Sequence, residues 1–227
     1  MSTLTKGPGV MVALDVPDID RALELCDVLE RASGTFCIKV GRPLEMVGGA
    51  ATLREVCEGT RLPVVYDGKI ADVPHVASQI AHAAFAAGAD GVIVHGFCGS
   101  DVLKSLMELS MGDVICVVEM SHQGATEFYR GVSEDIAKMA GRLGVHGVVL
   151  PATHPERIRT LSPHLSPHTY IISPGVGAQG AVAGMAIANG AHWEVVGRAI
   201  TMSDDPLRSA EEHYRACIAA HRNAGVP

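Results

Sequence analysis

The chain of 227 residues alternates from start to end between short aliphatic runs and segments with helical spacing, and this alternation most constrains its fold. The runs are four to six residues long and rich in Val, Ile, Leu and Ala, as is typical of parallel strands buried on both faces. We therefore predict eight strands, at Val10–Leu14, Phe36–Val40, Leu62–Tyr66, Gly91–His95, Val114–Glu119, Gly147–Leu150, Thr169–Ile172 and Trp193–Val196.

Amphipathic segments separate these runs. In Asp18–Arg31 the apolar residues recur every three or four positions and share one helix face. His75–Ala87 and Glu134–Leu143 are each followed by glycine, which is common after the last helical turn. Pro206–Ala220 has an acidic start that suits a helix N-terminus. Eight strand–helix units without a linker predict one domain over residues 1–227, an α/β fold of the (β/α)8 TIM barrel type, with an open doubly wound sheet as the alternative.

Charge and cysteine content argue against several classes of protein. The formal net charge is −7 and there is no basic block, so nucleic acids and anionic membrane surfaces would on average be repelled. The six cysteines are scattered without a C-x-x-C pair, which is typical of reduced thiols in the cytoplasm. No apolar run approaches the roughly 18 residues that a membrane span needs. We expect a cytoplasmic protein that binds a small molecule rather than nucleic acid or membrane.

Charged side chains cluster where the second and third predicted strands end. Lys39 lies within an aliphatic strand, where a charge is rare unless it is paired. Asp67 and Lys69 follow the third strand, and an extended Asp-x-Lys segment would place both side chains on one side. Asp72 comes next, at the start of the following helix. Because barrels collect their functional groups at these strand ends, we predict a charged network, with solvated surface charges as the alternative.

A glycine-rich segment, Ser173–Gly180, follows the seventh predicted strand and contains the pattern G-x-G-x-x-G. A dinucleotide fingerprint would instead follow the first strand of a βαβ unit, so that interpretation is weak. The loops after strands seven and eight bind phosphate in many barrels, often through backbone N–H groups. Gly197 and Arg198 would add an N–H group and a guanidinium. We predict a phosphate site made by both loops, against the alternative of a flexible glycine turn beside a surface arginine.

Seven segments spread over nearly the whole chain resemble the orotidine 5′-monophosphate decarboxylase family, particularly its short archaeal-type members. They are ALDV (13–16), IKVGRPL (38–44), DGKIADV (67–73), GADGVIVHGF (88–97), VEMSHQGA (118–125), ISPGVGAQG (172–180) and VGRAI (196–200). Each segment alone is weak, but seven in the family's order make a specific match. The resemblance implies decarboxylation of orotidine 5′-monophosphate to UMP in pyrimidine biosynthesis, without a cofactor or a metal, by a homodimer with shared active sites.

The resemblance also implies a role for each matching residue. The catalytic charges would be Lys39, Asp67, Lys69 and Asp72, and Asp72 would come, with Val73, from the second subunit of the dimer. Lys69 would protonate the C6 carbanion left by the departing CO2. The substrate contacts would be Asp15 and Lys39 for the ribose, Ser121 for the pyrimidine, and Pro174, Gly175, Gln179, Gly197 and Arg198 on the phosphate side. Position 76 departs from the family pattern, because Val76 stands where threonine usually contacts the ribose.

Two other functions stay open on the sequence. Sugar-phosphate enzymes of the same superfamily, such as a ketogulonate-phosphate decarboxylase or a hexulose-phosphate synthase, resemble the D-x-K-x-x-D stretch. These enzymes use Mg²⁺ and have a carboxylate on strand two where this chain has Lys39, whose charge would repel the metal. The second alternative is a non-catalytic nucleotide-binding sensor, although buried charges without a task would be costly to retain.

Overall fold

The structure is a computed structural model that describes residues 4–49 and 51–224, and in it eight parallel strands close into a barrel in chain order. The strands are β1 Gly9–Ala13, β2 Phe36–Gly41, β3 Val64–Ile70, β4 Gly91–His95, β5 Asp113–Val117, β6 Gly147–Val149, β7 Tyr170–Val176 and β8 Trp193–Val196. The predicted barrel is confirmed, since β1 pairs with β8 and an open sheet has no such pairing. The ends of the predicted single domain, residues 1–3 and 225–227, lie outside the described residues.

Helices cover the outside of the barrel. They are α1 Ile19–Arg31, α2 Arg42–Gly48, α3 Thr52–Glu58, α4 Pro74–Ala86, α5 Ser100–Glu108, α6 Tyr129–Leu143, α7 Pro155–Leu161, α8 Met185–Ala188, α9 Arg198–Thr201 and α10 Pro206–Asn223. The Asp18 side chain caps α1 by accepting the N–H of Arg21 at 2.7 Å, and Gly144 ends α6 in the left-handed conformation. No helix in the described parts of the chain is both long and apolar enough to span a membrane.

Alternate side chains of each strand divide the core into two layers. Facing inward are Met11, Cys37, Val65, Ile93, Ile115, Val149, Ile172 and Val195, and facing the helices are Val10, Ile38, Val64, Val92, Val114, Val148, Ile171 and Val196. The amino-terminal end of the barrel is filled by Trp193 and Tyr170, which pack in the inner layer with Leu4. The carboxyl-terminal end is therefore the one left to form a site.

Two strands extend four residues past their predicted ends, and both break the regular pairing. β3 continues to Ile70, and its pairing with β4 shifts register between Tyr66 and Ile70. β7 continues to Val176, with a register shift against β8 between Pro174 and Val176. Such bulges are over-represented beside active sites, because they re-aim side chains that a regular strand would hold in alternation.

Candidate active site

The carboxyl-terminal mouth of the barrel holds a cavity of about 550 Å³. Ten of the twelve predicted site residues line it, namely Asp15, Lys39, Asp67, Lys69, Ser121, Pro174, Gly175, Gln179, Gly197 and Arg198. The structure thus gathers side chains from the ends of the first, second, third, fifth, seventh and eighth strands into one place. The charged members continue the inner layer of the barrel, since Lys39 and Asp67 lie two residues beyond the inward-facing Cys37 and Val65.

Lys39, Asp67 and Lys69 form a contiguous ion array on the floor of this cavity. Asp67 Oδ2 lies 2.9 Å from Lys39 Nζ, and Asp67 Oδ1 lies 2.5 Å from Lys69 Nζ. The side chains of Lys39 and Asp67 are 10% and 8% exposed, whereas that of Lys69 is 36% exposed. Asp67 is therefore the buried centre of the array, and Lys69 is its member most open to the cavity.

Lys69 lies within β3, but its backbone does not have the extended conformation that the sequence analysis predicted. Its φ of +46° places it in the left-handed region, within the β3 bulge. The bulge depends on Gly68, because a Cβ at this position would lie 2.3 Å from the ring of Tyr66. The prediction that both side chains share one side holds only through this irregular backbone, which turns Lys69 back onto Asp67.

The array keeps its charges despite burial. Burial alone would favour neutral Asp67, but the adjacent ammonium groups of Lys39 and Lys69 outweigh it and hold the pKa of Asp67 at about 2. Burial likewise opposes the ammonium of Lys39, yet Asp67 and Asp15 together raise the pKa of Lys39 above its ordinary value. Both groups are therefore ionised at neutral pH, and the site holds a fixed pattern of alternating charge.

Asp15 approaches the array from the end of β1. A methyl group built on Gly41 would lie 2.8 Å from Asp15 Oδ1 and 3.4 Å from Lys39 Nζ. Glycine at position 41 thus leaves the space in which this carboxylate and ammonium converge. Together they offer a carboxylate as acceptor and an ammonium as donor at the same edge of the cavity.

The loop after β7 folds onto itself beside the cavity. The N–H of Gly177 donates to Ala181 O at 2.9 Å, and the N–H of Ala181 donates to Gly175 O at 3.2 Å. These two amides are therefore bonded within the loop, and the predicted phosphate contacts of the loop stay predictions. Gln179 and Arg198 are both exposed and line the cavity on this side.

Glu194, a fully buried carboxylate on β8, occupies the start of α8. It accepts the N–H of Gly184 at 2.8 Å and that of Ala186 at 2.9 Å. The negative charge of the Glu194 carboxylate thus complements the positive N-terminal end of α8. At the end of β8, Gly197 is the N-cap of α9 and Arg198 is its first residue.

Comparison with known proteins identifies the family. A profile described as "Orotidine 5'-phosphate decarboxylase / HUMPS family" matches residues 8–213. The chain belongs to this family. The resemblance drawn from the seven segments is thereby confirmed.

Eight curated relatives, between 37% and 43% identical to the chain, all bear the name orotidine 5′-phosphate decarboxylase. The relative from Methanococcoides burtonii is 43% identical over 89% of this chain and 94% of its own length. That from Thermococcus kodakarensis is 42% identical over 92% of this chain and 96% of its own length. The predicted enzyme class, a decarboxylase, is confirmed by these relatives.

Solved structures agree with this family assignment. The orotidine 5′-monophosphate decarboxylase from Methanocaldococcus jannaschii, complexed with the inhibitor BMP, has a TM-score of 0.84 and 35% identity, covering 92% of this chain and 98% of that one. The orotidine 5′-phosphate decarboxylase from Pyrococcus horikoshii OT3 has a TM-score of 0.83 and 37% identity, covering 91% and 98%.

Two predicted residues of the family site lie apart from the cavity. The described residues that line it do not include Asp72 or Val73, which are both exposed between β3 and α4. Asp72 Oδ1 accepts the N–H of Val73 at 2.7 Å. Val76, the departure from the family pattern, lies half-buried on the first turn of α4. Their predicted roles at a second subunit's site stay predictions.

The sequence analysis missed two groups that hold the cavity wall. Thr153, after β6, donates its hydroxyl to Ser121 O at 2.9 Å and so ties two loops together. Glu119 was assigned to the end of the fifth strand, but β5 ends at Val117 and Glu119 binds two arginines instead. Thr153 follows a strand end, the position that identifies site residues in a barrel, so this rule could have found it.

Proposed function

We propose that the protein converts orotidine 5′-monophosphate to UMP, the last step of de novo pyrimidine nucleotide synthesis, in the cavity at the barrel mouth and without a cofactor or metal. The observation that carries the proposal is the buried Lys39–Asp67–Lys69 array, with contacts of 2.9 and 2.5 Å. The names of the curated relatives and the inhibitor complex of the M. jannaschii structure support the same substrate class. Lys39 also argues against a Mg²⁺-dependent sugar-phosphate reaction, because its ammonium would repel the metal.

The cavity's polar groups match the parts of this substrate. Arg198, with Gly197, would hold the 5′-phosphate, a dianion for which a guanidinium is well suited. Gln179, beside Pro174 and Gly175, would close over the phosphate and the base from the loop after β7. Asp15 and Lys39 would contact the ribose hydroxyls, and Ser121 would contact the pyrimidine, so that C6 comes to lie over the ion array.

The reaction breaks the bond between C6 and the carboxylate carbon. The electron pair stays on C6, CO2 leaves, and the ammonium of Lys69 donates a proton to C6 to give UMP. The carbanion gains little resonance stabilisation, so a cation held beside C6 lowers the barrier by electrostatics that are already in place before the reaction. Asp67 Oδ1 lies 2.5 Å from Lys69 Nζ and so orients this ammonium. The charge of Asp67 would repel the carboxylate of a substrate bound beside it.

We also propose that the enzyme is a homodimer in which Asp72 and Val73 complete the site of the second subunit. Both residues are exposed and stand outside the cavity of their own chain, although Asp72 is only three residues beyond Lys69. Val73 is 60% exposed and Phe97, on the next loop of the same end of the barrel, is 57% exposed. Apolar side chains this open suit burial against a second copy.

Complementation tests the shared site. Lys69→Ala and Asp72→Ala homodimers should each be inactive, but a mixed dimer carries one site with both native residues. After subunit exchange, an equimolar mixture should recover about a quarter of the native activity, since half of the dimers are mixed and one of their two sites is intact. No recovery, with exchange shown by a size difference between tagged subunits, would contradict the shared site.

The reaction itself is tested by ultraviolet absorbance of orotidine 5′-monophosphate mixed with EDTA-treated protein. Decay to the spectrum of UMP is the expected result. Lys69→Ala should abolish turnover while UMP still binds, and full activity in that variant would contradict the proton-donor role. Binding of UMP without turnover in the native protein would indicate the nucleotide sensor, and activity that requires added Mg²⁺ would indicate a sugar-phosphate enzyme.

A further inference from the structure

Glu119 is a fully buried carboxylate behind the cavity wall, two residues before Ser121. Its Oε1 accepts the Nε–H of Arg130 at 3.2 Å. Its Oε2 accepts the Nε–H of Arg157 at 2.9 Å, and a second nitrogen of Arg157 lies 2.9 Å from the same oxygen. A carboxylate with no exposed surface is retained only with such partners, because removing a charge from water is costly.

The cluster joins three separate elements. Arg130 and Ser133 lie on α6, Arg157 lies on α7, and Glu119 lies in the segment after β5. Arg157 also donates to Ser133 Oγ at 2.7 Å, and the Ser133 hydroxyl donates to Arg130 O at 3.0 Å. The arginine side chains are 34% and 20% exposed, so the buried end of the cluster is the carboxylate. Its position is thus fixed from two helices at once.

The other end of the same segment is fixed as well. Thr153, in the connection between β6 and α7, donates to Ser121 O at 2.9 Å. Ser121 is thus held by Thr153 at its carbonyl and by Glu119 two residues earlier. Arg157 follows Thr153 by four residues, so the contacts to Ser121 and to Glu119 come from the same short stretch of chain. The backbone that carries Ser121 is therefore anchored at two points.

We propose that Glu119 is a positioning residue for Ser121, and that through it the ion cluster sets how the enzyme recognises the pyrimidine. The inference rests on the proposed function, in which Ser121 contacts the base. Glu119 touches no substrate; it sets where the Ser121 hydroxyl stands. A displacement of about 1 Å at such a contact can cost roughly a hundredfold in rate, so the cluster affects kcat/KM although it lies outside the cavity.

A double-mutant cycle separates this role from a merely structural one. Glu119→Gln keeps the shape of the side chain but removes the charge that the two arginines hold. It should lower kcat/KM for orotidine 5′-monophosphate by roughly ten- to a hundredfold. In the Ser121→Ala background the same change should have little further effect, because the contact it positions is already lost. Equal factors of loss in both backgrounds, or an unchanged kcat/KM in folded Glu119→Gln, would overturn the proposal.

Ligand binding gives a second readout. Glu119→Gln should weaken UMP binding but leave the affinity for ribose 5-phosphate unchanged, because the latter has no base. Equal weakening of both ligands would overturn the assignment to base recognition. Turnover by the native protein is measured in parallel, so failure of the proposed reaction is seen in the native enzyme and failure of the positioning role only in the variants.

Two further variants make the test independent of folding. Arg130→Gln removes one partner of Glu119 from a partly exposed position on α6. It should lower kcat/KM by less than Glu119→Gln does, and it should have little further effect in the Ser121→Ala background. Glu134→Gln is the matched control, since Glu134 lies on the same helix and pairs with Lys138 at 2.7 Å on the surface. The control should leave kcat/KM and UMP affinity unchanged. If Arg130→Gln lowers kcat/KM by the same factor with Ser121 and with Ser121→Ala, the proposal is overturned.

Discussion

His192 makes the stability of the barrel depend on pH through one hydrogen bond. It precedes β8, and its Nδ1 accepts the backbone N–H of Ile171 at 2.9 Å, so the ring must be neutral with its proton on Nε2. Burial, with smaller contributions from the charges of Lys6 and His221, lowers the pKa of His192 from 6.5 to about 4. Protonation of Nδ1 would remove the acceptor and place a charge inside the barrel end.

The size and sign of the effect follow from the pKa difference between the folded and unfolded chains. Between pH 6.5 and about 4 the unfolded chain binds a proton at His192 that the folded chain does not. Stability therefore falls as pH falls through this window and is unaffected by His192 above it. At about 1.4 kcal/mol per pH unit, the loss in the free energy of unfolding amounts to about 3 kcal/mol.

The assay is urea unfolding followed by circular dichroism at pH 7 and pH 4, at one fixed protomer concentration. His192→Asn is the comparison, because an asparagine oxygen can accept the same N–H but does not titrate. The native protein should lose about 3 kcal/mol more than the variant between the two pH values. Equal losses in the free energy of unfolding for the native protein and the variant, or an ordinary pKa for His192 measured by NMR, would refute this prediction.

Three substitutions test other parts of the site by steady-state kinetics with orotidine 5′-monophosphate. Gly68→Ala should lower kcat at least tenfold, because a Cβ 2.3 Å from the Tyr66 ring must displace the bulge that orients Lys69. Such overpacking costs about 1–3 kcal/mol, and an unchanged kcat would contradict this prediction. Arg198→Ala should raise KM roughly ten- to a hundredfold through the loss of about 1.5–3 kcal/mol of charged hydrogen bonding, and an unchanged KM would remove Arg198 from the phosphate site. Val76→Thr should lower KM by up to about tenfold, from a regained hydrogen bond of about 0.5–1.5 kcal/mol, and no change would mean that residue 76 does not reach the ribose.

The strands could be predicted because burial on both faces leaves a plain sequence signal. Each of the eight aliphatic runs overlaps an observed strand, and the Gly91–His95 and Trp193–Val196 bounds are unchanged. The errors concentrate in β3 and β7, where the chain leaves the aliphatic pattern but keeps pairing. The signal fails there because Asp, Lys, Pro and Gly are poor strand formers, and only tertiary pairing keeps them in the sheet.

The site could be predicted where the sequence neighbours of a single residue indicate that it is buried. Lys39 was identified because a charge within an aliphatic run needs a partner, and the same reasoning applies to Glu194, which lies between Trp193 and Val195. Glu119 carries a weaker form of this signal. Its partner Arg157 is 38 residues away on α7, so their contact depends on how α7 packs against the segment after β5 and is not encoded in local spacing.

The two register breaks explain why the site lies where it does. On a regular strand Asp67 and Lys69 would both face inward, but their Cα atoms would be roughly 6.6 Å apart and their side chains parallel. The left-handed Lys69 turns its ammonium back to 2.5 Å from Asp67, a contact that regular alternation does not provide. The break in β7 acts similarly, because it carries Gly175 and the loop with Gln179 over the cavity. Lys69 and the loop with Gln179 are thus both placed where the barrel departs from regular pairing, while the other six neighbouring strand pairs keep their register.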